Sequence, residues 1–279
     1  MAYPMTPLRA TLHELGLRSD DPARLADFYS RALGYRFDGQ LGTAHDRRVT
    51  IVEGLPRTLA YAAYAVPEAA ELDAIEARLS RAGAPFERIE MAGFEGSVLA
   101  FRDPDGNGMR FGVPAGDQAA PSGVSVDRAA RVQHVVFAST DLGRALTFYT
   151  DVVGFILTDR VEDEDGGLRT FFVSSSHEHH SLAFFLAKEN RLDHHCYEAG
   201  DWALIRDWAD HFAKLRIPLK WGPGRHGPGS NLFLFIHDPD GNWLEISAEL
   251  EHVAPGRPVG VWPHEEYTLN TWGVGLLRS

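Results

Sequence analysis

The stretch HDPDGNWLEISAE, residues 237–249, has a near-copy in RDPDGNGMRFGV, residues 102–113. A chain that repeats itself over such a distance builds one supersecondary unit more than once, so the repeat bounds the fold before any single residue does. A second pair is DDPARLADFYSRALGYRF (20–37) and TDLGRALTFYTDVVGFIL (140–157). Both open on an Asp suited to capping a helix, and Pro22 suits an early helical position. Leu25, Phe28, Tyr29 and Leu33 in one copy recur at helical spacing, as do Leu142, Ala145, Phe148, Tyr149 and Val152 in the other. The runs stop at Gly34 and Gly154, where a left-handed cap is easiest. Alternating stretches around His13 and His134 precede them and read as strands. Residues 59–86 and 193–219 form a third pair, again strand then helix, with Asp201 as a cap and Trp202, Ile205, Trp208, Phe212 and Leu215 as an apolar face.

Each half thus holds two strand–helix–strands units, which predicts an α+β fold of duplicated βαβββ modules. Curved sheets would form cups with helices outside, and alternation along strands would let side chains from several strands converge inside a cup. The expected organisation is a two-module domain over 1–115, a small, polar linker over 116–130, a second two-module domain over 131–250 and a tail over 251–279. A net charge of −12 argues against a nucleic-acid partner. No apolar run approaches the roughly 20 residues that span a bilayer, and the first residues lack the pattern of a signal peptide. The single cysteine, Cys196, rules out an intrachain disulfide, and a cytoplasmic location is expected.

Three strand positions of the second half could carry chemistry: His134 in QHVVFA, His195 in HHCYEA and Glu245 in WLEIS. Each taken alone has an ordinary reading, as a core histidine or a solvent-facing glutamate. Together, two histidines and a carboxylate with open positions form the facial triad that suits non-haem Fe(II). The first half offers an internal comparison. There Ala62 falls where His195 does, Arg110 falls where Glu245 does, and His13 roughly matches His134. An arginine cannot ligate a metal, so the first half is expected to keep the scaffold without the site. Cys196, next to His195 on a strand, is expected to point the opposite way and to serve in packing.

With VQHVVFASTDLGRALTFYTDVVGF, HHSLAFF, RLDHHCYEAGDW, GPGRHG and HDPDGNWLEISAE in this order, the chain resembles the type I extradiol ring-cleavage dioxygenases of the vicinal oxygen chelate superfamily, which also contains glyoxalases and bleomycin-resistance proteins. The resemblance covers most of residues 8–250. It implies cleavage of a catecholic ring with O2 at a mononuclear Fe(II), with Mn(II) as a substitute, giving a semialdehyde acid. It places the metal ligands on His134, His195 and Glu245, with His194 beside the ligand position. It puts a proton-moving histidine at His180 and another near the substrate at His226. His177 and His179 are expected to lie in an exposed loop.

Two departures stand out. Many members carry a Tyr ten residues before the carboxylate ligand; here that residue is Phe235, and His237 is a possible compensating group on the same face. An Arg that members use for carboxylate-bearing catechols is Trp221 here. With Phe172 near the pocket, a neutral or aromatic catechol is expected. Tyr267, Asn270 and Trp272 of the tail are candidate lid residues, and the family implies a homo-oligomer. Alternatives on the same scaffold are a metal-dependent glyoxalase- or epimerase-like enzyme and a non-catalytic binding protein.

Overall fold

The computed structural model describes residues 8–116 and 128–276. Most of the expected linker therefore lies outside the described residues. The first half forms an eight-stranded sheet from β1 (Thr11–Ser19), β2 (Arg36–Asp38), β3 (Leu41–Thr43), β4 (Arg48–Glu53), β5 (Leu59–Ala65), β6 (Phe86–Glu90), β7 (Phe94–Arg102) and β8 (Gly108–Pro114), in the order β2-β3-β4-β1-β5-β8-β7-β6. The second half repeats this with β9 (Arg131–Ser139), β10 (Ile156–Glu162), β11 (Leu168–Ser174), β12 (Leu182–Leu186), β13 (Arg191–Glu198), β14 (Trp221–Arg225), β15 (Leu232–His237) and β16 (Trp243–Ala248). Its order is β14-β15-β16-β13-β9-β12-β11-β10, and a strand from the tail, β17 (Gly260–Pro263), adds beside β10.

The helices form where the sequence predicts them. Helix α1 (Pro22–Leu33) is capped by Asp21, whose Oδ1 accepts from the Arg24 amide at 3.0 Å, and it ends at Gly34 with φ +72°. Helix α2 (Ala69–Ala82) follows β5. Helix α3 (Leu142–Thr147) is capped by Asp141 and runs into a π-helical turn over Phe148–Val153. The wider turn changes the helical phase, so Val153 rather than Val152 is buried. Helix α4 (Trp202–Lys214) is capped by Asp201, as expected. One continuous apolar core runs from Leu15 and Tyr29 of the first half to Trp208 and Ile246 of the second.

The repeated Asp-Pro-Asp-Gly-Asn turns join the halves. In each, the first Asp accepts backbone N–H groups from the third and fifth residues, Asp103 from Asp105 and Asn107, Asp238 from Asp240 and Asn242. The Gly sits at positive φ, +89° at Gly106 and +80° at Gly241. Each turn is then gripped by the helix of the opposite half. The Tyr29 hydroxyl donates to Asp238 at 3.2 Å and Arg24 pairs with Asp240 at 2.6 Å. In mirror fashion the Tyr149 hydroxyl donates to Asp103 at 2.9 Å and Arg144 pairs with Asp105 at 2.8 Å. The helices thus lie between the two sheets and lock them together.

Candidate metal centre

Cross-strand register decides which side chains share a face. In the second half His134 lies opposite Cys196, and Cys196 opposite Glu245. The pairing of β13 with β9 is interrupted twice, skipping Asp193 on one strand and Gln133 on the other. A bulge re-aims the residues beside it. After the first of these, His194 and Cys196 face the same side as His134 and Glu245, and His195 faces the helices.

His195 therefore does not occupy the ligand position expected for it. Its Nε2 lies 3.0 Å from the Tyr29 hydroxyl, the ring stacks on Tyr29, and burial drives its pKa down to about 3. The side chain that meets Glu245 is His194. Its Nε2 lies 3.3 Å from Glu245 Oε2, and Nε2 of His134 lies 3.2 Å from the same oxygen. Cys196 likewise turns toward this face and not away from it, in a group with His134 and Glu245 whose ligand atoms lie within 4.8 Å of one another. His194 borders the cavity described below and Cys196 does not. A hard divalent ion with open positions takes nitrogen and oxygen donors in preference to a thiol, which favours His194 as the third group.

The bulged residues hold the imidazoles. Gln133 Oε1 meets His134 Nδ1 and its amide donates to the His180 carbonyl at 2.7 Å. Asp193 Oδ2 lies 2.7 Å from His194 Nδ1, and Arg191 donates to its other oxygen. Each Nδ1 is thus set against an oxygen, and each Nε2 is directed at the same carboxylate oxygen. Burial lowers the pKa of His134, whereas at His194 the carboxylates of Asp193 and Glu245 outweigh burial and raise it. Two imidazoles and a carboxylate that converge in this way can hold a divalent cation, and imidazoles oriented by outer oxygen acceptors are the usual setting of such an ion. Asn231 donates to Glu245 Oε1 at 3.2 Å and to Ser247 at 2.9 Å, fixing the carboxylate from behind.

These groups border a cavity of about 120 Å³. His180 and His226 line it, as expected. The His180 ring is 4.5 Å from that of His134, and burial, with His134 and His179 nearby, pushes its pKa well below the ordinary value. His226 donates from Nδ1 to the Leu269 carbonyl at 2.6 Å and stacks on Phe233. Phe172, Trp221 and Phe235 line the wall, with Trp221 stacked on Phe235. Tyr267 does not line it: it is 63% exposed, and its neighbours Thr268 and Leu269 face inward instead. His237 packs on Trp243 and is not part of the lining, so it does not stand in for the missing phenol. His179, expected to be exposed, is fully buried.

The chain matches the model of the Glyoxalase/Bleomycin resistance protein/Dioxygenase superfamily over residues 11–111 and 131–246. It belongs to that superfamily. Among curated relatives, Metapyrocatechase 2 of Cupriavidus necator is 29% identical over 242 residues, 79% of this chain and 74% of the relative. The iron-dependent extradiol dioxygenase of Rhodococcus jostii (strain RHA1) is 25% identical over 248 residues, 81% of each. The fold matches that of homoprotocatechuate 2,3-dioxygenase from Brevibacterium fuscum in its substrate complex, with a TM-score of 0.84 at 22% identity, over 99% of this chain and 93% of that one.

His194, expected only beside the ligand position, takes that place, and Gln133, Asp193 and Asn231 carry no signal in the sequence that marks them as its supports. Strand alternation could not separate His194 from His195, because the bulge at Asp193 changes which parity faces the cavity. Within the described residues no helix is long and apolar enough to cross a membrane.

Proposed function

We propose that the chain is an extradiol dioxygenase that opens the ring of a catecholic substrate with O2 at a mononuclear Fe(II) held by His134, His194 and Glu245. The observation that carries this is the meeting of the Nε2 atoms of two buried imidazoles with one oxygen of a buried carboxylate, at 3.2 and 3.3 Å, at the wall of a cavity. This donor set suits Fe(II) and also accepts Mn(II). The names carried by the Cupriavidus and Rhodococcus relatives support the same reaction. His134, His194 and Glu245 would hold the metal, which would supply Lewis acidity and bring the catechol and O2 together.

The chain's own side chains select and prepare the substrate. Phe172, Trp221 and Phe235 flank an aromatic ring and exclude water from it. Arg169 and Glu265 both border the cavity and offset one another in charge, so the wall favours an uncharged catechol. Neutral His180 is placed to take a hydroxyl proton, which a buried imidazole near the reacting oxygens does well. His226, having given its Nδ1–H to Leu269, turns Nε2 inward as a second acceptor.

The test is oxygen uptake by anaerobically purified, Fe(II)-loaded protein over a panel of neutral catechols, with absorbance read for a yellow ring-opened product. Uptake of one O2 per catechol with a yellow chromophore is expected. Bound iron with no uptake on any catechol would overturn the assignment in favour of a redox-silent reaction on the same scaffold.

A further inference from the structure

His180 is backed by a buried polar chain that the reaction as described does not use. Its Nδ1 lies 3.0 Å from Nδ1 of His179. On the far edge of that second ring, Nε2 lies 3.1 Å from Oδ2 of Asp159, near enough for an ion pair although not aligned as a hydrogen bond. Asp159 and His179 are both fully buried. Asp159 is in turn held by the tail: Arg257 donates to Oδ1 at 2.8 Å, the Gly260 amide to Oδ1 at 3.1 Å and the Trp262 indole to Oδ2 at 2.7 Å. Burial alone would raise the Asp159 carboxyl, but His179, Arg257 and Trp262 bring it down to about 2, so it is a carboxylate.

Two ring nitrogens 3.0 Å apart share a single proton, so one must donate and the other accept. The carboxylate asks His179 Nε2 to carry a hydrogen. With its ring hydrogen on Nε2, His179 presents Nδ1 as the acceptor, and His180 donates to it from its own Nδ1. That leaves His180 with a lone pair on Nε2. His180 lines the cavity and His179 does not.

We propose that Asp159 and His179 are positioning residues that hold His180 in its Nδ1–H tautomer, so that a proton acceptor and not a donor faces the substrate. This rests on the reading of His180 as the group that takes the catechol proton. The arrangement resembles the outer-shell oxygens that fix the tautomers of His134 and His194, with a second imidazole inserted between carboxylate and working ring.

The tautomer is read directly by ¹⁵N NMR of histidine-labelled, metal-free protein, with the His180 signals assigned from their loss in His180→Gln. Wild type is expected to show His180 protonated on Nδ1 and bare on Nε2. His179→Phe, which removes the acceptor, is expected to move the proton to Nε2 in most molecules. His179→Asn keeps an oxygen where Nδ1 was and is expected to retain the wild-type pattern. In the Fe(II)-loaded protein, His179→Phe should lower kcat by about ten- to a hundredfold at unchanged KM and iron content, with His179→Asn close to wild type. An unchanged His180 tautomer in His179→Phe would overturn the proposal and leave Asp159 as a dock for the tail. The NMR arm does not depend on turnover. Should His180→Gln cleave catechol normally, the base reading fails while the tautomer result still stands.

Discussion

At three register-matched positions the second sheet carries His134, His194 and Glu245, and the first carries Glu14, Tyr61 and Arg110. The match follows from the strands: Glu14 lies opposite Ala63 and Ala63 opposite Arg110, as His134 lies opposite Cys196 and Cys196 opposite Glu245. Glu14, not His13, is therefore the counterpart of His134; Ala62 corresponds to His195, as expected, and Tyr61 to His194. His13 sits at the bulge, in the place of Gln133. The first half is a set of complementary charges. Glu14 accepts from the Tyr61 hydroxyl at 2.6 Å, from the Thr50 hydroxyl at 2.7 Å and from Arg48 at 3.1 Å, while the Arg110 guanidinium covers the Tyr61 ring at 3.7 Å. Both oxygens of Glu14 thus meet donors of the chain itself. In the second half two imidazoles and a carboxylate converge instead, a set able to hold a cation. The same scaffold is closed by its own charges in one copy and carries a candidate metal centre in the other.

The strongest test of this contrast is at the matched carboxylate and cation. Glu245→Ala is expected to abolish iron retention and to reduce ring cleavage at least about a thousandfold, the several kcal/mol that the metal contributes. Arg110→Ala should leave both unchanged. The same assays separate the adjacent histidines: His194→Ala should lose iron, whereas His195→Ala should keep it and lose only thermal stability. Equal iron loss from the Arg110 and Glu245 variants would erase the distinction between the halves.

A smaller effect is expected from the closed set. Glu14→Ala takes away the carboxylate facing buried Arg48 and should destabilise the chain by about 3 kcal/mol in denaturant melts, with iron content retained. A melt within experimental error of wild type would show that the first half does not depend on this pairing.

Glu198 provides a contrast that depends on pH. Burial raises its pKa from 4.5 to about 7, whereas the first half has Ala65 in the corresponding place on β5. A carboxyl whose folded pKa exceeds its unfolded value costs nothing at low pH and costs progressively more as pH rises from 4.5 toward 7. Glu198→Gln should therefore match wild type at pH 4 and be more stable by about 2 kcal/mol at pH 8. Urea midpoints at the two pH values give the answer, and a gain confined to low pH would reverse the sign argued here.

The smallest effect concerns the lock between the halves. Tyr29→Phe and Tyr149→Phe each remove one hydroxyl from a matched Asp and should each cost about 1 kcal/mol. Markedly unequal losses by calorimetry would show that the two grips are alike in geometry and not in energy.

Much of this was legible in the chain. The paired helices, their Asp caps at Asp21, Asp141 and Asp201, and their glycine stops followed from local propensity and apolar spacing, which need no partner. The swap of Arg110 for Glu245 pointed to the second half as the place for a metal, and His134, His180, His226 and Glu245 all border one cavity there. The repeated turn proved to be a fastening between the halves, a role that depends on Tyr29 and Tyr149 arriving from distant helices.

What the sequence determined by itself was periodicity: elements, their duplication, and the types of residue able to ligate a metal. What only the tertiary structure decided was parity and partnership. A bulge at Asp193 turns His194 and not His195 toward Glu245, the tail buries His179 against Asp159, and α5 (Glu266–Leu269) turns Tyr267 outward. The physical reason is that alternation is a local rule with two equivalent phases. The choice between them is made by hydrogen bonds across to another strand, and no residue carries that information alone.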